Sequence, residues 1–219
     1  MPGIEGNGQR RNEKTRGQRN TARRAELGYY IIVTDTEATE RNYFEGLRNS
    51  LPENVRRKLI IHVVDTDTKN LVRKSQELAA YNPQYAVPWI VFDHDRVDDF
   101  DKIIEKAEKS GIGVGWSNPC IEIWFQAYFG HMPTTEDSKV CCRNFREIFQ
   151  RKTGQDYSKA DPDIYRKLCK HGDEMAAIEL AASRYRQFSN GGRAVPSEMP
   201  SCTTVHTLVA EIREKAAGT

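Results

Sequence analysis

Three apolar runs in the first half of this 219-residue chain lead into aspartates: "YYIIVT" meets Asp35, "LIIHVVD" ends at Asp65 and "VPWIVFD" at Asp93. More acids crowd around these ends. Glu37 and Glu40 follow Asp35, Asp67 follows Asp65, and Asp95 follows Asp93 in "FDHDR". Carboxylates held within a few ångströms of one another repel unless water, a cation or a basic partner intervenes. One to three carboxylates, with waters and a substrate phosphate, make the shell that Mg²⁺ or Mn²⁺ takes. Such an ion polarises phosphate and activates water. Asp also serves backbone N–H groups at strand-to-helix turns. "DTDT" (Asp65, Asp67) has no further acid near the start of the next helix and is read as structural. Asp35, Asp93 and Asp95 form the favoured metal set. Glu40 either reaches an ion through water or caps its helix, and Glu37 is read as facing solvent.

These acids converge only if the strands that carry them are neighbours. Short apolar runs alternate with helical periodicity from Tyr29 onward, which predicts an α/β fold with a parallel sheet and right-handed crossovers. Tyr43, Phe44, Leu47 and Leu51 share one face of a helix with Thr39 as its N-cap. Helices are expected over 69–81 and 99–109, and "GIGVGWS" reads as a fourth strand. If strands one and three adjoin, the loops after Asp35 and Asp93 face one crevice beyond the strands' carboxyl ends, where open parallel sheets place their chemistry. In "SNPCIEIWFQAYF", Asn118 reads as an N-cap and Pro119 as the first helical residue. Ile121, Trp124, Phe125 and Tyr128 then fall on one buried face. Strand signals stop there, and helices are expected over 140–152, 161–171, 173–188 and 204–216. The organisation is thus an arm over 1–27 and an α/β domain over 28–219, with a C-terminal helical layer from about 119.

At 38 % hydrophobic and 29 % charged, the chain can bury a core beside a large solvated fraction. Its formal net charge is only +2, but residues 1–30 hold seven basic residues against Glu5, Glu13 and Glu26, a local net of +4. The arm, with Arg10, Arg11, Lys14 and Arg16, is either a solvated tail or a phosphate-backbone contact. The five cysteines form no CxxC pair, and neighbouring Cys141 and Cys142 do not suit a relaxed disulfide. A reduced, cytoplasmic setting is expected. No apolar run approaches the roughly 18–20 residues of a membrane span, and no secretory leader is read, so no membrane association is expected.

Four motifs in order carry a family resemblance: Asp35 followed by "TERNYF" (39–44), "WIVFDHD" (89–95), "SNPCIEIW" (117–124) and "PSCTTVHTLV" (200–209). Together they resemble the RloB-like (AbiLii-type) proteins over nearly the whole chain beyond the arm. The resemblance implies a Toprim-like, Rossmann-like nuclease fold. It also implies a toxic effector of an anti-phage, abortive-infection system working with an ABC/SMC-type ATPase. On the matching positions, Asp35, Asp93 and Asp95 would hold the divalent metal, Glu40 matches the second acid of the first motif, and Glu122 the acid of the "SNP" helix. The chain departs from the family pattern at one place. Asp35–Thr36 stands where the family usually has Glu followed by Gly, so a metal would sit closer to the strand or Glu37 would take over.

Beside these acids, Lys159 in "DYSKADPD" follows Tyr157 as a Tyr-x-Lys and could offset charge on a reacting phosphate. Arg96 either binds phosphate bidentately or neutralises neighbouring acids. His94 reads as packing or solvated rather than as a general acid. Thr203 or Thr204 is expected to cap the last helix, near His206. Cys141, Cys142, Cys169 and His171 lack zinc spacing and are read as incidental. The leading expectation is a metal-dependent endonuclease acting on RNA (tRNA included) or DNA, with Mg²⁺ or Mn²⁺. A non-catalytic subunit docking on the ATPase is the alternative, and a phosphatase-like enzyme acting on small phosphates is a third. A homodimer would be in keeping with a nuclease.

Overall fold

Strand β1 (Gly28–Thr34) sends Tyr30 and Ile32 to one face of a sheet and Ile31 and Val33 to the other, and all four are buried. Strand β3 (Ala86–Asp93) does the same with Trp89 and Val91 against Ile90 and Phe92. A strand side chain alternates with period two, so an unbroken apolar run is what a strand covered on both faces requires. The fold is that of a computed structural model describing residues 27–36, 38–81, 86–190 and 195–218, without the Arg96 side chain. Arg10, Arg11, Lys14, Arg16 and Glu37 lie outside the described residues.

Strands β2 (Leu59–Asp65) and β4 (Gly113–Asn118) complete the parallel part, and β5 (Cys202–Thr203) adds an antiparallel edge. The order is β2-β1-β3-β4-β5. The chain leaves β1 toward one side and β3 toward the other, so the winding reverses between these two neighbours. Trp89 sits in register with Gly113, where a Cβ would fall 2.4 Å from the indole. A glycine is therefore required at that position for the ring to lie flat over β4.

Helices α3 (Leu71–Ala80) and α4 (Phe100–Lys109) cover the face of Ile31, Ile90 and Phe92. The other face carries α1 (Thr39–Ser50), α5 (Glu122–Ala127), α6 (Ser138–Thr153), α7 (Ile164–His171) and α9 (Val205–Ala217). Helix α8 (Glu174–Asn190) joins that layer through Ala177 and Ala181, and a short α2 (Glu53–Arg56) precedes β2. Tyr43, Phe44, Trp124, Phe125 and Phe145 form its aromatic centre, all fully buried. Each such side chain is worth about 1.5–3 kcal/mol in area removed from water. The result is a mixed, Rossmann-like α/β fold, and no described helix is long and apolar enough to cross a membrane.

Several local expectations need correction. Ala38, not Thr39, is the residue preceding α1, and the Thr39 hydroxyl donates instead to the Lys159 carbonyl at 3.1 Å. Asn118 does not cap a helix. It ends β4, its bond to Pro119 is cis, and its amide donates to the carbonyls of Pro196 and Ser197 at 3.2 and 3.0 Å. Strands do not stop there either, since β5 pairs back onto β4. Thr203 Oγ1 accepts the Val205 N–H at 3.1 Å, while the Thr204 hydroxyl donates to Val114 O and accepts from Trp116 N–H.

Candidate metal centre

Backbone hydrogen bonds lace the carboxyl ends of the parallel strands. Thr66 N–H donates to Thr34 O at 2.9 Å, Asp35 N–H to Val91 O at 3.3 Å, and Asp95 N–H to Pro119 O at 3.1 Å. The four exits are therefore joined into one rim. Asp93 is the last residue of β3 and its side chain points into the fold, 7 % exposed. Burial pushes its carboxyl well above the ordinary range, and Glu40, Asp35, Glu122 and Asp95, in that order, push it further. All five acids singled out in the sequence thus share one electrostatic neighbourhood. Asp93 Oδ1 is buried and meets no hydrogen-bond partner among the described residues.

Each acid reaches this place by a different route. Asp35 follows β1 directly and is half-buried, and Glu40 sits in the first turn of α1, 1 % exposed. A carboxylate there suits the helix N-terminal dipole. Glu122 opens α5, also 1 % exposed, and Asp95 lies on the single helical turn His94–Arg96, exposed. Glu122 Oε1 accepts from the Tyr157 hydroxyl at 3.0 Å and faces Lys159 Nζ at 3.6 Å. Burial, then Glu122, raises the Tyr157 phenol, so it stays a proton donor. The α6–α7 loop thus delivers one hydroxyl and one half-exposed ammonium to the edge of an acidic cluster.

Other candidates fall elsewhere. Asp65 accepts from Arg41 at 2.8 Å. With Asp35, Thr66 and Asp67 it lines a cavity of about 210 Å³, and Asp35 and Asp67 line a second of about 390 Å³ with Thr68 and Lys69. The "DTDT" loop, read as structural, therefore borders the same cavities as Asp35. The His94 ring packs edge-on against Phe100 at 4.7 Å. His206 holds the Thr203 carbonyl through Nδ1 at 2.8 Å, and burial depresses its pKa.

The donor chemistry suits a hard cation: carboxylate oxygens of one sign, one of them an orphaned buried atom. No trio of these five carboxylates among the described residues brings its oxygens within 4.8 Å of one another. Mg²⁺ binds through one or two carboxylates and retains waters, so a spread set is compatible with it. The described trio that does draw that tight is Cys120, Glu122 and Cys142. This was missed in the sequence, because Cys120 and Cys142 are 22 residues apart with no metal-motif spacing.

A family model described as "RloB-like protein" matches residues 30–212. No curated protein and no solved structure matches the chain.

Proposed function

The chain belongs to the RloB-like family, and on that footing we propose that it is a metal-dependent nuclease of Toprim-like type cleaving RNA, tRNA included, or DNA. The observation that carries this reading is Asp93, buried amid four further carboxylates with an oxygen that meets no donor among the described residues. Nothing in folding alone rewards that arrangement, whereas a divalent cation does. Asp35, Asp93 and Asp95 would hold Mg²⁺ or Mn²⁺. Bound there, the ion would polarise a phosphodiester and make an adjacent water acidic. The chain's own groups supply the rest. Glu122 fixes Tyr157 and positions Lys159, whose ammonium is half exposed and can offset charge on a phosphate oxygen. Glu40 adds negative charge that strengthens cation binding. The activity would serve as a cytoplasmic effector of phage defence, governed by an ABC/SMC-type ATPase.

The test is to incubate the purified chain with tRNA and with plasmid DNA in Mg²⁺, Mn²⁺ or EDTA. Cleavage is expected with either metal and is lost in EDTA and in Asp93→Ala. Cleavage that survives Asp93→Ala would put the centre elsewhere. One observation favours a second reading: Asp35 is a methylene shorter than the glutamate usual in the family at this position. Metal binding without turnover would identify a non-catalytic subunit that docks on the ATPase.

A further inference from the structure

Cys120 lies in the turn after β4 and Cys142 in the early turns of α6, yet their Sγ atoms stand 3.9 Å apart. One Glu122 oxygen completes a trio of donor atoms all within 4.8 Å of one another. Cys120 and Glu122 are each 1 % exposed. Glu122 Oε1 is engaged by Tyr157 and Lys159, while Oε2 is buried without a hydrogen-bond partner among the described residues. Two thiolates bound to one tetrahedral Zn²⁺ at about 2.3 Å lie about 3.8 Å from each other, which matches the spacing of the two sulfurs. A disulfide would require about 2.05 Å, and hard ions such as Mg²⁺ do not select sulfur. In a zinc site the carboxylate oxygen closes to about 3.5 Å from each sulfur, so this ligand alone has to shift on binding.

The neighbouring Cys141 also meets the Cys120 thiol, but its sulfur faces Gln126 Nε2 at 3.3 Å and falls outside the trio of donors that lies within 4.8 Å. Cys142, half-buried, also lines a cavity of about 350 Å³ with Ser138, Lys139, Arg143, Arg146 and Lys159. Four of those residues are cationic. Two thiolates and a carboxylate around Zn²⁺ leave one negative charge, which these cations offset. We propose that Cys120, Cys142 and Glu122 form a Zn²⁺ site whose fourth coordination position opens onto this cationic cavity. Three protein ligands with one open position is the arrangement of reactive rather than purely structural zinc, and the surrounding cations favour hydroxide or another small anion there. The site shares Glu122 with the acid cluster but depends on sulfur, so it stands apart from the nuclease reading.

The test uses the full chain, reduced and stripped of metal with chelator, titrated with Co²⁺ as a spectroscopic stand-in and then with Zn²⁺. Expected are a thiolate-to-cobalt charge-transfer band saturating at one equivalent and its displacement by one equivalent of Zn²⁺. Cys142→Ala, at a half-exposed position that tolerates the change, should weaken the band and cut Zn²⁺ affinity by at least about 100-fold. Cys141→Ala and Asp93→Asn should leave both unchanged, which separates this site from the carboxylate centre. A missing thiolate band at saturating Co²⁺ would overturn the proposal. So would a band indifferent to Cys142→Ala, or a Cys120–Cys142 disulfide in freshly isolated protein.

Discussion

Glu174 and Asp93 are both carboxylates withdrawn from water in one fold, and their surroundings are opposite. Glu174 Oε2 accepts from the hydroxyls of Tyr128 and Tyr165 at 2.9 and 2.8 Å, and its Oε1 pairs with Arg213 Nε at 2.5 Å. Tyr128 shares its hydroxyl with that of Tyr43 at 2.7 Å, and Arg213 also bonds the Tyr165 hydroxyl. Every charge in that network has its counterpart. Around Asp93 the neighbours are four more acids, and the Lys159 ammonium pairs with one of them, Glu122, rather than with Asp93 itself. A satisfied buried network fixes a structure. An unsatisfied one of a single sign costs stability, and that cost makes sense where a ligand supplies the missing charge.

The largest expected effect tests the acidic half of this contrast. Asp93→Ala should lower metal-dependent cleavage about 10³-fold, some 4 kcal/mol of barrier, without lowering the melting temperature of the ion-free protein. Single-turnover assays paired with thermal melts would read both. Glu174→Ala should do the reverse. It strands Arg213 and two tyrosine hydroxyls, and should cost about 3 kcal/mol in urea unfolding while any metal dependence persists. Next in size is cation linkage. Mg²⁺ at a hundredfold excess over its dissociation constant should stabilise the chain by roughly 2.7 kcal/mol, and Asp93→Ala should remove most of that shift but Glu174→Ala none of it.

The smallest effect is the pH dependence. A carboxyl whose pKa is raised in the folded chain keeps its proton after the unfolded chain has lost it. The ion-free protein should therefore lose stability as pH climbs from the ordinary aspartate value of 3.8 through the raised folded one. Asp93→Asn removes the titration. Its advantage over wild type should be absent near the ordinary value and grow with pH. Denaturant unfolding in EDTA at several pH values would measure it, and parallel slopes for the two proteins would refute the account.

The parallel framework was legible because Tyr30 to Val33 and Trp89 to Phe92 are unbroken apolar runs, each followed by acids that mark where a strand leaves the core. Adjacency of β1 and β3 followed from general winding, and it is what draws Asp35 toward Asp93. What sequence could not supply is long-range. Thr39 looks like an N-cap by composition, but its hydroxyl finds a partner 120 residues away. Asn118–Pro119 has the residue types of a helix start, yet its amide is claimed by a segment nearly 80 residues later. A two-residue strand such as β5 has no periodicity to detect. Cys120 and Cys142 meet only because α6 folds back across the α5 turn, a fact of tertiary packing with no local signature.

The hydrogen bond from Thr39 to the Lys159 carbonyl has one more consequence. The main chain of that lysine is tied to the helix that carries Glu40, while its ammonium stands half out in solvent. The root is pinned and the tip can swing. A charge mounted this way can follow an oxygen atom through a change of geometry by rotating its own stem. The loop beneath it need not be rebuilt, and the cost of ordering that loop has already been met in folding.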